Sequence, residues 1–128
     1  MKRMQHIALS FLFMALVCQN NIYAQTASGS INGHNYVDLG LPSGVLWATC
    51  NVGAYAPQQY GSYFAWGETY YKNYYSPGNS VTHERIFLSI EGNARYDAAT
   101  ANWGSSWRLP TQQEANELVQ RCTWIWRK

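Results

Sequence analysis

Tryptophan and tyrosine are the side chains in this sequence with the most to offer a ligand. There are six tryptophans and ten tyrosines. Tyr70, Tyr71, Tyr74 and Tyr75 crowd into the segment ETYYKNYYSPGNSVT, directly after Trp66-Gly67-Glu68. An exposed ring can stack on the apolar face of a sugar while polar neighbours supply hydrogen bonds. Trp66, Glu68, Tyr70, Tyr71, Tyr74 and Tyr75 are therefore the candidate ligand-binding residues. The competing reading is packing. Trp47 sits in an apolar run, and Trp103 and Trp107 lie beside Gly104 and before RLPT, so core burial is the stronger reading for those three. For the tyrosine loop the two readings stand level.

Cysteine and carboxylate chemistry is harder to assemble. Cys50 and Cys122 form an even pair once Cys18 leaves with a leader, and an even pair in an exported chain points to a disulfide. Closing a loop of about 70 residues would contribute roughly 4 kcal/mol. Two buried thiols are the alternative, whereas no CxxC or neighbouring His supports a redox or catalytic thiol. His34 and His83 are far apart, and no HExxH or DxDxDG pattern occurs, so neither a metal nor a cofactor is expected. Asp38, Glu68, Glu84 and Glu91 read most simply as solvated. No GxSxG elbow or Ser-His-Asp order is present, and no catalytic residue is assigned. Two carboxylates could meet in space as glycosidases require, but their spacing in sequence does not decide it. Arg108 is expected to pair with an acid such as Asp97 or Glu114, holding WRLPT in place.

These side chains need elements to position them. Thr111 followed by Glu114 is a capping box, and Ala115, Leu118, Val119 and Cys122 fall on one helical face, which predicts a helix over about 111–122. Asp97 can cap a helical turn in DAATAN. YVDLGL (36–41) and VLWAT (45–49) read as strands of one hairpin, and YFAW (63–66) as a third short strand. Residues 51–61 and 68–82 read as loops, Ile86 to Ile90 as a short apolar run, and residues 25–33 as a flexible start. The closing CTWIWRK is apolar and β-prone. Either it pairs internally, or its partners lie beyond Lys128.

The chain is 128 residues long, one domain at most. Lys2 and Arg3 precede an uncharged run from Ile7 to Cys18, then polar residues and a small residue at position 24. That order is a secretory leader over residues 1–24, cut between Ala24 and Gln25. As a helix the apolar run spans about 18 Å, short of the ~30 Å hydrocarbon core, so a retained membrane span is the weaker reading. Acylation at Cys18 is weaker too, because Leu16 and Val17 are bulky for a lipoprotein signal. The expected location is periplasmic, cell-surface or secreted. Nine basic residues face seven acidic ones, and loss of Lys2 and Arg3 evens the balance. A neutral chain carries no electrostatic footprint for nucleic acid. Charged residues are 12% and aromatics 16%, a composition that excludes a disordered tail, a coiled coil and a polybasic binder.

Three blocks resemble one known family. YVDLGLPSGVLWATCNVGA (36–54), YGSYFAWGET (60–69) and DAATANWGSSWRLPTQQEANEL (97–118) are similar, in that order, to the signature blocks of the Fibrobacter succinogenes major paralogous domain (FISUMP). CTWIW looks like the family's continuation. The resemblance implies an exported surface protein of a Bacteroides-type bacterium. It also implies an α+β, C-type-lectin-like fold of short antiparallel strands and long loops, related in style to formylglycine-generating-enzyme-like domains. In the family the domain runs past this point, so residues 34–128 would be its N-terminal part. The Glu-Pro-Asn and Trp-Asn-Asp calcium motif of C-type lectins is not present. The expectation is a non-catalytic module that presents aromatic loops to a glycan or surface protein. The alternatives are a fragment of a formylglycine-generating-type or glycan-active enzyme, and an inactive truncated product.

Overall fold

The computed structural model describes residues 6–7, 15–18, 27–85 and 87–125. The chain is a small mixed α/β protein built on three antiparallel strands and two helices. β1 is His6–Ile7, β2 Ala15–Cys18, β3 Gly29–Ile31, β4 His34–Asp38, β5 Leu46–Ala48, β6 Trp107–Arg108 and β7 Cys122–Ile125. The helices are α1 (Ala98–Trp103) and α2 (Gln112–Arg121). The main sheet runs β3-β4-β5-β1-β6, and β2 and β7 form a separate antiparallel pair.

β4 and β5 make the expected hairpin, with Val37 opposite Trp47 and Tyr36 opposite Ala48. Side chains alternate across a strand, so each cross-strand pair serves one face of the sheet. Val37 and Trp47 join Leu39, Leu41, Val45, Leu118 and Cys122 in a cluster under α2. Tyr36 and Ala48 pack from the other face against Val52, Ala99, Trp103 and Trp107, the cluster under α1. The three tryptophans assigned to the core are buried there.

Several expectations need correction. Residues 29–31 are not part of a flexible start but form β3, paired with β4 through a turn at Asn32 (φ 52°) and Gly33 (φ 79°). Positive φ at both central positions is the type I′ geometry that Asn-Gly favours, because it matches strand twist. YFAW is not a strand; it runs through irregular backbone into a turn closed by the Glu68 amide on the Ala65 carbonyl (2.9 Å). In α2, Leu118 is buried but Val119 is exposed, since the helix offers only a narrow stripe to the sheet. Leu88 is fully exposed and Ile90 fully buried, and Ile86 lies outside the described residues. The Cys50–Cys122 disulfide is not formed: Cys50 is a free thiol, 3.6 Å from Thr49 Oγ1. The strand register sets Cys18 opposite Cys122 instead. CTWI pairs internally, with β2. Ala24 and Gln25, the expected cleavage point, lie outside the described residues. No helix among the described residues is long and apolar enough to cross a membrane.

Candidate functional site

Asp97 is the fixed point from which the site is built. Its carboxylate is fully buried and accepts four backbone amides. Oδ1 takes those of Ala99 (2.8 Å) and Thr100 (3.0 Å) and so caps α1. Oδ2 takes those of Gly92 (2.7 Å) and Leu109 (2.8 Å), tying the preceding loop and the WRLPT segment to the same helix. An anion at a helix N-terminus is favoured by the unpaired amides and the dipole. Asp97 is thus engaged, and the Arg108 partner is Glu114. The guanidinium donates to both carboxylate oxygens, from Nη1 at 2.8 Å and Nη2 at 2.5 Å. Glu114 Oε2 also accepts the Thr111 amide (2.8 Å) while Thr111 Oγ1 accepts the Glu114 amide (3.2 Å), completing the capping box. Burial pushes the Glu114 carboxyl up, but Arg108 and Thr111 outweigh it and hold it below the ordinary carboxylate value.

α1 in turn anchors the aromatic loop. Asn102 Nδ2 donates to the Thr69 carbonyl at 2.9 Å. Gly67 (φ 75°) lies so close to the Phe87 ring that a Cβ there would stand 2.8 Å from it. Just beyond, Glu68 is only 2% exposed. It is neither solvated nor turned to a ligand. Its Oε2 contacts the Lys72 ammonium, and its Oε1 accepts the Val81 amide at 2.8 Å. Burial raises the Glu68 pKa, but hydrogen bonds from Lys72, Ser80 and the Val81 amide, with the Lys72 charge, bring it below the usual range. Lys72 Nζ also donates to the Asn79 carbonyl, and lies 5.7 Å and 6.0 Å from the Tyr70 and Tyr75 ring centres. At these distances a cation is attracted by the ring faces.

Around this knot the loop closes on itself. Thr82 Oγ1 donates to the Trp66 carbonyl at 2.6 Å. Tyr75 accepts the Lys72 amide on its hydroxyl (2.9 Å) and donates that hydroxyl to the Tyr63 carbonyl. Asn79 bridges the Ser76 amide and the Tyr74 carbonyl, each at 3.0 Å. The apparently irregular tyrosine segment is therefore a hydrogen-bonded Ω-like loop, with its polar groups turned inward and its rings outward.

The rings form the surface. Trp66 is 63% exposed, Tyr71 67% and Tyr74 70%, with Tyr70 and Tyr75 also exposed. Of the candidate ligand residues, all but Glu68 stand at the surface. Reasoning from sequence missed three others. Tyr55, Tyr60 and Tyr63 extend the exposed aromatic set from the neighbouring loop. That loop is held by the Ser62 amide on the Val52 carbonyl (2.7 Å) and Asn51 Nδ2 on the Tyr60 carbonyl (3.0 Å). The signal was available in the tyrosine spacing across 55–63. Between residues 51 and 82 the only charged residues are Glu68 and Lys72. Their mutual neutralisation leaves this stretch of chain without net charge.

Two further features among the described residues bear on the choice of site. A polar depression of about 850 Å³ lies between the Pro42–Ser43 turn and α2, and shares no residue with the aromatic surface. Among the described residues no three His, Cys, Asp or Glu side chains gather where they could hold a metal. Searches of protein-family models, curated proteins and solved structures return no match to this chain.

Proposed function

We propose that the chain is an exported, non-catalytic binding module whose aromatic loops take an uncharged glycan. The observation that carries the reading is the set of exposed rings between residues 55 and 75, with the Glu68–Lys72 ion pair held beside Tyr70 and Tyr75. Rings that stack on sugar faces need firm support and an uncharged setting if they are to prefer neutral over sulfated or carboxylated saccharides. The Glu68–Lys72 knot supplies both. A binding role without turnover fits the use of the acids: Asp97 holds four amides, Glu114 holds Arg108 and Glu68 holds Lys72.

The resemblance to the FISUMP family, and through it to C-type-lectin-like folds, belongs to the same proposal. Its first block supplies the end of β4 and all of β5, its second the start of the aromatic loop, and its third α1, β6 and most of α2. The three blocks thus fall on parts that pack together. Titration calorimetry of the chain against neutral oligosaccharides and their sulfated counterparts tests the reading. Binding of the neutral set, little changed between low and physiological salt, is expected. Preference for the sulfated set, falling with salt, would overturn it.

A further inference from the structure

Among the described residues, two strands, β1 and β2, come from the segment that export would remove. β1 occupies a central position in the main sheet, parallel to β5 on one side and to β6 on the other. Its flanks are core: Leu46, Trp47 and Trp107 are all buried. Parallel strands are stable when paired on both edges and covered on both faces. The position between β5 and β6 therefore does not stand empty while those strands keep their places.

Among the described residues, His6 and Ile7 fill that position, His6 opposite Leu46 and Trp107, and Ile7 opposite Trp47 and Arg108. The indole N–H of Trp47 is buried with no acceptor among the described residues, as is that of Trp124 in β7. Buried donors without acceptors are rare and unfavourable.

We propose that the position between β5 and β6 is a strand-accepting site. Once residues 1–24 are cut away, it takes an extended, uncharged polypeptide segment of a partner protein, parallel to Leu46–Ala48 and Trp107–Arg108. A polypeptide is specified because both flanks present ladder amides and carbonyls, which only another backbone matches along its length. Uncharged side chains are specified because the two faces of the sheet meet apolar clusters, around Leu118 on one side and Trp103 on the other. The proposal rests on the export reading only for the removal of the leader, and is independent of glycan binding.

The test uses the full chain carrying Cys18→Ser, which excludes a covalent tether to the facing Cys122, and a protease site inserted between Ala24 and Gln25. The probe is a labelled peptide of residues 4–10, MQHIALS. Its control carries Ile7→Pro, which removes a ladder amide. The probe is expected to bind the nicked chain with one-to-one stoichiometry, to leave the uncut chain unlabelled, and to outbind its control by about ten-fold or more. If nicking abolishes the cooperative melt, the proposal requires the probe to restore it, and failure to restore it counts against the site. A nicked chain that sheds residues 1–24, keeps its melting temperature and binds no probe overturns the proposal, as does equal binding of the control.

Discussion

The carboxylate of Glu68 meets the ammonium of Lys72 beside the exposed rings of Tyr70 and Tyr75. The pair is local, four residues apart, yet it organises the whole loop, because Lys72 also reaches Asn79 and Glu68 also holds Val81. A buried pair is strongly destabilising to break and less so to replace entirely, since breaking it strands one charge. Glu68→Ala should lower stability by about 3–5 kcal/mol. Glu68→Gln combined with Lys72→Met should lose clearly less than the sum of the two single changes. Chemical denaturation of Glu68→Ala checks the first point, and the four proteins of the Glu68→Gln/Lys72→Met cycle check the second.

Asp97→Ala removes the acceptor of four amides in a fully buried place. The expected loss is about 3 kcal/mol or more, among the larger single-residue effects. Asp97→Asn keeps one acceptor oxygen and should lose less. Urea melts distinguish the two.

Tyr71 and Tyr74 stand out from the fold, so Tyr71→Ser and Tyr74→Ser should change stability by no more than about 0.5 kcal/mol. Tyr75 differs, because its hydroxyl links the Lys72 amide to the Tyr63 carbonyl. Tyr75→Phe should be destabilising by about 1 kcal/mol although the residue lies at the surface. Thermal melts of the three variants measure the contrast.

Acid should weaken the fold in two stages. His34 stacks on Trp103 with ring centres 4.0 Å apart, and desolvation lowers its pKa from the ordinary 6.5. A histidine with a depressed folded pKa favours the neutral form, so its contribution is complete above about pH 6.5 and is lost as pH falls through the folded value. Glu68 and Glu114 lie below their ordinary 4.5 in the folded state. Their contribution is present above that pH and is lost as pH falls through their folded values. Denaturant midpoints from pH 8 to pH 3 should decline gently first and steeply later, and His34→Gln should flatten only the first part.

The parts of this fold governed by neighbours in sequence are legible without the structure. Thr111 and Glu114 cap α2, Asp97 caps α1, and 36–41 with 45–49 makes the hairpin, all through contacts a few residues apart. β3 was equally local, and Asn32-Gly33 is its sign. The tyrosine loop shows no period because its order comes from side-chain bonds to backbone, such as Thr82 to Trp66 and Tyr75 to Tyr63. Burial of Glu68 is invisible for the same reason: an acid in a polar, tyrosine-rich stretch reads as solvated until Lys72 and Val81 are seen to close over it. The free state of Cys50 and the facing of Cys18 and Cys122 follow from strand pairing between distant segments, which spacing alone does not reveal.

The most direct measurement is a glycan array probed with the chain, with Trp66→Ala and with Tyr71→Ser combined with Tyr74→Ser, each first shown to melt like the parent. The account predicts that the parent binds a subset of neutral glycans and that both variants lose about ten-fold or more in affinity for them, as loss of a stacking contact implies. Undiminished binding by the variants, or binding confined to acidic glycans, would contradict it.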